Sequence, residues 1–438
     1  MSGALDNIHP ELDQSSTINI LLKDVKHVDS DSDYYMAAAH LINFPDSASI
    51  QALMSFLDYS STAKSVLLAQ RKAVEVLARL GAVEAESAIA ACLSSLDIYM
   101  IENAAWALAE LNCQEPSVHS LMTELVQDTS QNQRVLIQSL AKLNVTLAIP
   151  AIKNLLKSDQ PSVRGAAIAA MVRLSGERSN LQALGDHLFD PNQMVRQCTV
   201  QDIIDSDASE LLSDLLQAPI SPSFRLRAIQ SFINQKKNLE SNQPYIAAID
   251  QILRDDPRKI AVLHSFSETI SAEILLQNLF HPDFSRCYLA MNSLLQCSPD
   301  KVWLHVKEIW NSKIHNDYGA HYFVIQLFGL MKGWSLDDKN LIRKLLLDAV
   351  FDLRPQFKKS PPAALLSLSR LFPGECGQIF QTWLSSSQTS SWICRYSALL
   401  AIESEQSLTG YSDQIRELAL SDSEFLVRCK AQSICDTL

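Results

Sequence analysis

A helical pattern that returns about every 31 residues constrains this chain more than any other feature. Apolar residues recur at helical spacing almost throughout, as at Ile101, Ala104, Ala105, Leu108 and Leu111. The segments also resemble one another, with a polar or acidic start, an apolar residue beside an Arg, small residues, and a leucine-rich end. Asp159–Leu174 (DQPSVRGAAIAAMVRL) matches Asp190–Ile204 (DPNQMVRQCTVQDII), and Asp128–Leu143 and Ser421–Leu438 follow the same plan. Helix ends fall at Phe44, Leu80, Leu111, Leu143, Leu174, Ile204 and Phe232, at intervals of 36, 31, 32, 31, 30 and 28. From Leu295 through Leu330, Leu371, Ile402 and Ile434 the intervals are 35, 41, 31 and 32, so the second half carries insertions. Two helices in a fixed period mark an α-solenoid, because one such unit cannot bury its apolar face alone and must stack on neighbours. The expected fold is all-α, a superhelix of about a dozen helix pairs.

Composition agrees. Only 11 of 438 residues are glycine, where an average chain has ~7%. Barrels and sandwiches need glycine at turns, and phosphate loops need it beside the ligand. Short turns here use other residues: Asp159-Gln160-Pro161, Asp190-Pro191-Asn192 and His281-Pro282-Asp283. Asp can cap the helix that follows, and Pro suits its first turn. Net charge is −12, which argues against a nucleic-acid partner. No apolar stretch reaches the ~18–20 residues of a membrane span. The first 20 residues hold no Lys or Arg but include Asp6, Glu11 and Asp13, unlike a secretory signal. The expected location is cytoplasmic. Nine cysteines, an odd number without a C-x-x-C, read as small packed residues. Along the chain, residues 1–30 form a polar segment or cap and 31–234 the regular repeats. Residues 235–243 (QKKNLESNQ) read as a linker-like loop, and 244–438 as less regular repeats with a C-terminal cap.

The repeats resemble HEAT repeats, in the short ~30-residue form found in phycobilisome-maturation proteins. The most specific stretch is Arg71–Leu111, whose Tyr99–Leu108 core (YMIENAAWAL) resembles the E/F-type phycobilin lyases; Tyr34–Leu57 fits as well. The long single chain is similar to the phycoerythrin-specific branch, some members of which are lyase-isomerases. The resemblance implies attachment of a linear tetrapyrrole, phycoerythrobilin, by thioether to a cysteine of a phycoerythrin subunit, α before β. Conversion to phycourobilin is a further possibility within that branch. The nucleophilic cysteine then belongs to the substrate protein. The bilin is a bound substrate, no prosthetic group is expected, and a homodimer is one possible assembly. The alternative is a non-catalytic HEAT scaffold holding a protein partner on its concave face.

Handling a bilin is mostly positioning and water exclusion; isomerisation adds a general acid and base. Carboxylates suit pyrrole N–H groups, Arg or Lys suit propionates, and aromatic faces suit the rings. Two segments concentrate such residues. In the first, spacings of 3, 4 and 7 put Tyr99, Glu102 or Asn103, and Trp106 on one helix face, with Arg134 following in the next repeat. In the second, Trp303–Trp334, an offset of 219 lays Tyr318 over Tyr99, His321 over Glu102 and Tyr322 over Asn103. Asp317 is assigned to the pyrrole nitrogens, Tyr318 to proton donation or to orienting the A ring, His321 to proton movement, and Tyr322 and Trp310 to contacts with the bilin. Gly319 would leave space at the helix start. Plainer readings stand beside these: Asp317 as an N-cap, the histidines as satisfied core groups, Trp106 as packing, Glu102 as the partner of a repeat arginine. The repeat arginines, Arg134 among them, bond across repeats in the same plain reading. Trp392, Arg395 and Tyr396 form a third, weaker constellation. No H-E-x-x-H or Cys/His set points to a metal.

Overall fold

The computed structural model describes residues 9–24, 27–235, 243–266, 270–385, 390–407 and 410–436. Among them the chain forms twenty-five α-helices, joined by short turns and single 3₁₀ turns. The helices gather into two compact units divided between Leu181 and Gln182. No described helix is long and apolar enough to cross a membrane.

The first unit holds α1 (Gln14–Leu22), α2 (Asp33–His40), α3 (Ser47–Leu57), α4 (Lys64–Arg79), α5 (Glu86–Ala91), α6 (Ile98–Glu110), α7 (Pro116–Leu125), α8 (Gln133–Lys142), α9 (Ile149–Leu155) and α10 (Pro161–Ser175). Even-numbered helices α2 to α10 pack successively against one another, and α3, α5, α7 and α9 lie against their even partners as a second layer. This is HEAT-like pairing. Small residues allow close approach, as at Ala104, Ala105 and Ala107 of α6 and Ala166, Ala167 and Ala170 of α10, all buried. Part of the expected polar segment 1–30 is a structural element. α1 is capped by Asp13 and packs on α2 and α3, and Gln14 donates to Asp46 at 2.6 Å.

The second unit holds α11 (Gln182–His187), α12 (Gln193–Asp205), α13 (Leu212–Gln217), α14 (Pro222–Gln235), α15 (Gln243–Arg254), α16 (Ala272–Asn278), α17 (Phe284–Leu294), α18 (Pro299–Ile309), α19 (Tyr318–Leu330), α20 (Leu336–Val350), α21 (Ser360–Leu371), α22 (Gly377–Leu384), α23 (Trp392–Ser404), α24 (Ser412–Ser421) and α25 (Phe425–Cys435). Helices α17, α19, α21, α23 and α25 form one layer, and α16, α20, α22 and α24 pair with them from the other side. The expected linker 235–243 lies, apart from its two ends, outside the described residues.

Helix boundaries follow local chemistry. Asp46, Asp97, Asn132, Asn192, Asp283 and Asp317 each accept a first-turn N–H. Pro116, Pro161 and Pro299 open their helices. The even-numbered helices α4 to α12 are each followed by a left-handed residue: Gly81 (φ 69°), Asn112 (58°), Asn144 (58°), Gly176 (73°) and Asp207 (44°). These positions are 31, 32, 32 and 31 residues apart. Glycine usually fills such a site because a Cβ is strained there, and Asn and Asp are the tolerated substitutes. Three of the five sites use them, which accounts for part of the scarcity of glycine.

Candidate functional site

Helix α19 organises the second unit. Its sequence, YGAHYFVIQLFGL, is apolar on nearly every side, and Ala320 through Phe328 are all buried, as expected of a helix enclosed by neighbours. A Cβ on Gly329 would sit 2.7 Å from Ser367 Cα of α21. This crossing therefore requires glycine, and Ser367 secures it by donating to the Ile325 carbonyl at 2.9 Å.

One side of α19 borders a cavity of about 710 Å³ whose walls include Trp303, Trp310, His321, Asp348, Asp352 and Arg354. Trp310 stacks on Phe328 with centroids 6.0 Å apart, and its ring lies 5.4 Å from His321. His321 is 1% exposed. Its Nδ1 shares a 2.8 Å hydrogen bond with Ser360 Oγ, and Phe357 meets it edge-on. Burial lowers its pKa to about 4, so the imidazole is neutral near pH 7 and one ring nitrogen donates while the other accepts. Trp303 is also buried, and its Nε1–H has no hydrogen-bond partner among the described residues. An orphaned buried donor costs ~1–3 kcal/mol. Arg354 grips Asp352 through Nε and Nη2, donates to the His315 carbonyl at 2.8 Å, and lies 3.6 Å from the Phe357 ring centroid. Partial burial works to raise the Asp352 carboxyl, yet the Arg354 bonds and charge hold it below its ordinary value. Asp348 stands exposed at the rim. The cavity thus offers indole faces, one neutral imidazole and the carboxylates of Asp348 and Asp352.

The other side of α19 meets a buried polar cluster. Asp255, itself left-handed (φ 39°), accepts from Arg225 at 2.6 Å, Tyr288 at 2.9 Å and Tyr322 at 2.7 Å. Burial pushes both tyrosines well above their ordinary pKa. Beside them the Lys359 ammonium lies 4.8 Å from the Phe284 ring centroid, 5.3 Å from Tyr322 and 5.7 Å from Tyr318. Burial lowers its pKa, against the charges of Asp255 and Asp317.

The expected site residues of this unit therefore separate. His321 and Trp310 line the cavity. Tyr322 is committed to Asp255. Asp317 caps α19, with Oδ1 accepting from Gly319 and Ala320 at 2.9 and 2.8 Å. Gly319 serves that cap, since a Cβ there would press to 3.3 Å on the same oxygen. Tyr318 is 55% exposed over Lys359. The 219 offset also needs correction. Asp97 and Asp317 cap helices of equal length, so the matching offset is 220. One residue turns the face by ~100°, which puts His321 over buried Ile101, and Tyr322 over Glu102.

In the first unit, Tyr99 is 55% exposed, with the Arg71 guanidinium 4.7 Å from its ring centroid. Arg71 also pairs with the cap carboxylate of Asp97 at 2.7 Å. Asn103 donates to the Tyr99 carbonyl at 2.8 Å. Trp106 packs, half-buried, against the core. Glu102 is half-buried and forms no ion pair within the described residues. Arg134 donates to the Ser162 carbonyl at 2.7 Å. The other repeat arginines reach back over the preceding turn: Arg164 to Ser158 at 2.7 Å, Arg196 to Asp190 at 2.6 Å, Arg428 to Asp422. In the third constellation, Arg395 pairs with Asp422, and Tyr396 donates to Asp250 at 2.9 Å. The Arg134, Arg395 and Tyr396 bonds tie different helix pairs, and the others fix the turn within a pair.

Sequence reading missed Asp255, Tyr288 and Lys359, and the roles of Trp303, Asp348, Asp352 and Arg354. Asp352 and Arg354 carry a weak signal, a D-x-R turn closing α20. The Asp255 contacts span 30 to 67 residues and leave no local trace. All nine cysteines are free thiols. Burial raises Cys92 to about 11, and Cys287 and Cys376 to about 12, so none of these three is a thiolate nucleophile near pH 7.

Paired, stacked helices with Asx caps define a HEAT-repeat protein, and a HEAT-repeat family model matches residues 119–204. Two curated proteins are similar over nearly the whole chain. The bilin biosynthesis protein CpeY of Synechococcus sp. (strain WH8020) is 36% identical, over 94% of this chain and 99% of its own length. The uncharacterized phycocyanin operon protein Y of Pseudanabaena tenuis (strain PCC 7409) is 31% identical, over 96% and 98%. Among solved structures, the CpcE–CpcF complex of phycocyanin lyase from Nostoc sp. PCC7120 covers 57% of this chain and 98% of its own, at 22% identity and a TM-score of 0.48. The chain belongs to the E/F-type phycobilin lyase family, in the single-chain branch that includes CpeY.

Proposed function

We propose that this protein is a phycobilin lyase that joins phycoerythrobilin by thioether to a cysteine of a phycoerythrin subunit, α rather than β. Family membership supports the reaction class. The observation that carries the site is the cavity beside α19, with neutral His321 between the rings of Trp310 and Phe357. The bilin is substrate, and the protein carries no prosthetic group of its own. Trp303 and Trp310 would hold pyrrole rings. Asp348 or Asp352 would accept pyrrole N–H groups. The substrate thiol adds across the ethylidene, its sulfur forming the C–S bond and its hydrogen passing to ring carbon, so no oxidant is needed. A double-bond shift to phycourobilin needs one proton delivered and one removed. His321 is the group in the cavity suited to both, and Tyr318 is the exposed phenol nearest it along α19.

The test is co-expression with bilin-synthesis enzymes and single phycoerythrin subunits, followed by absorption of the purified subunits. Covalent phycoerythrobilin on the α subunit is the expected result, and a blue-shifted, phycourobilin-like product would add isomerisation. If neither subunit gains pigment, the lyase reading fails and a scaffold holding a protein partner replaces it.

A further inference from the structure

The aromatic cavity beside α19 has an apolar rim. Leu341, Phe351 and Leu353 border it and are 51%, 57% and 93% exposed. Single surface leucines are ordinary, but a contiguous set at one cavity calls for a reason. Two features separate this rim from scattered leucines. Helix α20 carries apolar residues on two faces. Ile342, Leu346, Ala349 and Val350 are buried as the helix packs on α21. Leu341, Leu345 and Asp348 recur at helical spacing along the cavity, where a surface helix would ordinarily be polar.

The second feature is the turn that follows α20. The Asp352 carboxylate accepts the Arg354 backbone N–H at 3.0 Å, Nε at 3.0 Å and Nη2 at 2.6 Å. Arg354 Nη1 donates to the His315 carbonyl at 2.8 Å. These bonds hold Asp352, Leu353 and Arg354 in one geometry while the leucine side chain stands in solvent. An apolar side chain on a backbone already fixed loses little freedom when a partner buries it, as an interface anchor requires. The reaction then says what covers the rim. A thioether forms only when the acceptor sulfur comes within ~3–3.5 Å of the ethylidene carbon. The acceptor protein must therefore sit over the mouth of the cavity that holds the bilin.

We propose that Leu341, Phe351 and Leu353 form the docking surface for the acceptor phycoerythrin subunit, with Leu353 as its anchor in an apolar hollow beside the acceptor cysteine. The inference rests on the aromatic cavity being the bilin site, and it adds the footing of the protein partner. Exposed Lys307, Lys344 and Asp348 border the same cavity and supply the polar margin usual around an apolar contact.

The test measures two affinities of the full chain separately: for phycoerythrobilin by absorbance titration, and for pigment-free phycoerythrin α and β subunits by biolayer interferometry. Leu353→Asp and Leu341→Asp should each weaken the acceptor ten- to a hundredfold and leave bilin affinity within about twofold of the parent. Leu420→Asp, at a leucine 83% exposed on α24, is the matched control and should change neither. All three positions are exposed, so the fold should persist, and circular dichroism checks it. If the parent binds bilin and both rim variants hold the acceptor as tightly as the parent does, the docking inference falls and the bilin reading stands. The same follows if the parent binds bilin and neither subunit. Equal weakening by Leu420→Asp also overturns the inference, since added charge anywhere would then suffice. If sedimentation shows Leu353→Asp breaking self-association while acceptor affinity is unmoved, the rim belongs to a second copy of this chain and the proposal is overturned. Binding of neither bilin nor subunit by the parent overturns the lyase reading, and this inference with it.

Discussion

Replacing Asp255 by Asn should loosen the second unit more than any change at its surface. Asp255 and Arg225 are each 1% exposed, joined at 2.6 Å, and two buried phenols donate to the same carboxylate. The amide keeps the shape and tolerates the left-handed backbone. It removes the charge and turns an acceptor into a donor facing other donors. Removing one partner of a buried ion pair costs about 3–5 kcal/mol, because the remaining charge is stranded. That is a large share of the ~5–15 kcal/mol by which a typical protein is stable. A chain of two units has no single unfolding free energy, so hydrogen exchange read by mass spectrometry is the suitable assay. Peptides from α15, α17 and α19 should exchange about a hundred- to several-thousandfold faster. Peptides from α4, α6 and α8 should be unchanged. Adding Arg225→Met should restore part of the protection, since the stranded charge disappears. An increase of less than tenfold in α19 would refute the reasoning.

Other expectations follow from the same contacts. His321 falls from its ordinary 6.5 to about 4, so the unfolded chain binds this proton before the folded one does. Stability is full above pH 6.5 and is lost as pH falls towards 4, by about 3 kcal/mol for this group; in His321→Gln that part of the acid slope should vanish from a pH series of urea melts. Asn112→Ala and Asn144→Ala should each cost about 1 kcal/mol in thermal melts, while the glycine variants should match or exceed the parent, because only Ala adds left-handed strain without a compensating side chain. Gly329→Ala should be the harsher glycine change, driving a methyl into Ser367, seen as lost near-ultraviolet dichroism from the Trp303–Trp334 region.

The fold was readable because a HEAT-like chain repeats its instructions. Leu111, Leu143 and Leu174 mark helix ends without any long-range contact, and the Asx caps announce helix starts. The site was less readable for a geometric reason. Along α19 the residues Tyr318, His321 and Tyr322 look like one aromatic, protic cluster, yet their side chains serve three different surroundings: solvent above Lys359, the aromatic cavity, and the Asp255 cluster. Which neighbour each meets depends on α15, α17, α20 and α21, whose register relative to α19 no local pattern encodes. Asp317 shows the same limit from the other side, for its capping role follows from local geometry alone.

The raised thiols have a consequence for the bilin handling proposed above. A bilin with a reactive ethylidene can be captured by any thiolate it meets before it reaches its intended acceptor. Raising a thiol from 9.0 to about 11, as at Cys92, leaves about a hundredfold less thiolate at a given pH, and about 12, as at Cys287 and Cys376, leaves about a thousandfold less. Burying these sulfurs therefore tilts a kinetic competition towards the acceptor protein and away from self-labelling. A cysteine placed on an open wall, for instance by Asp348→Cys at the cavity rim, would tilt it back and turn the carrier into its own trap.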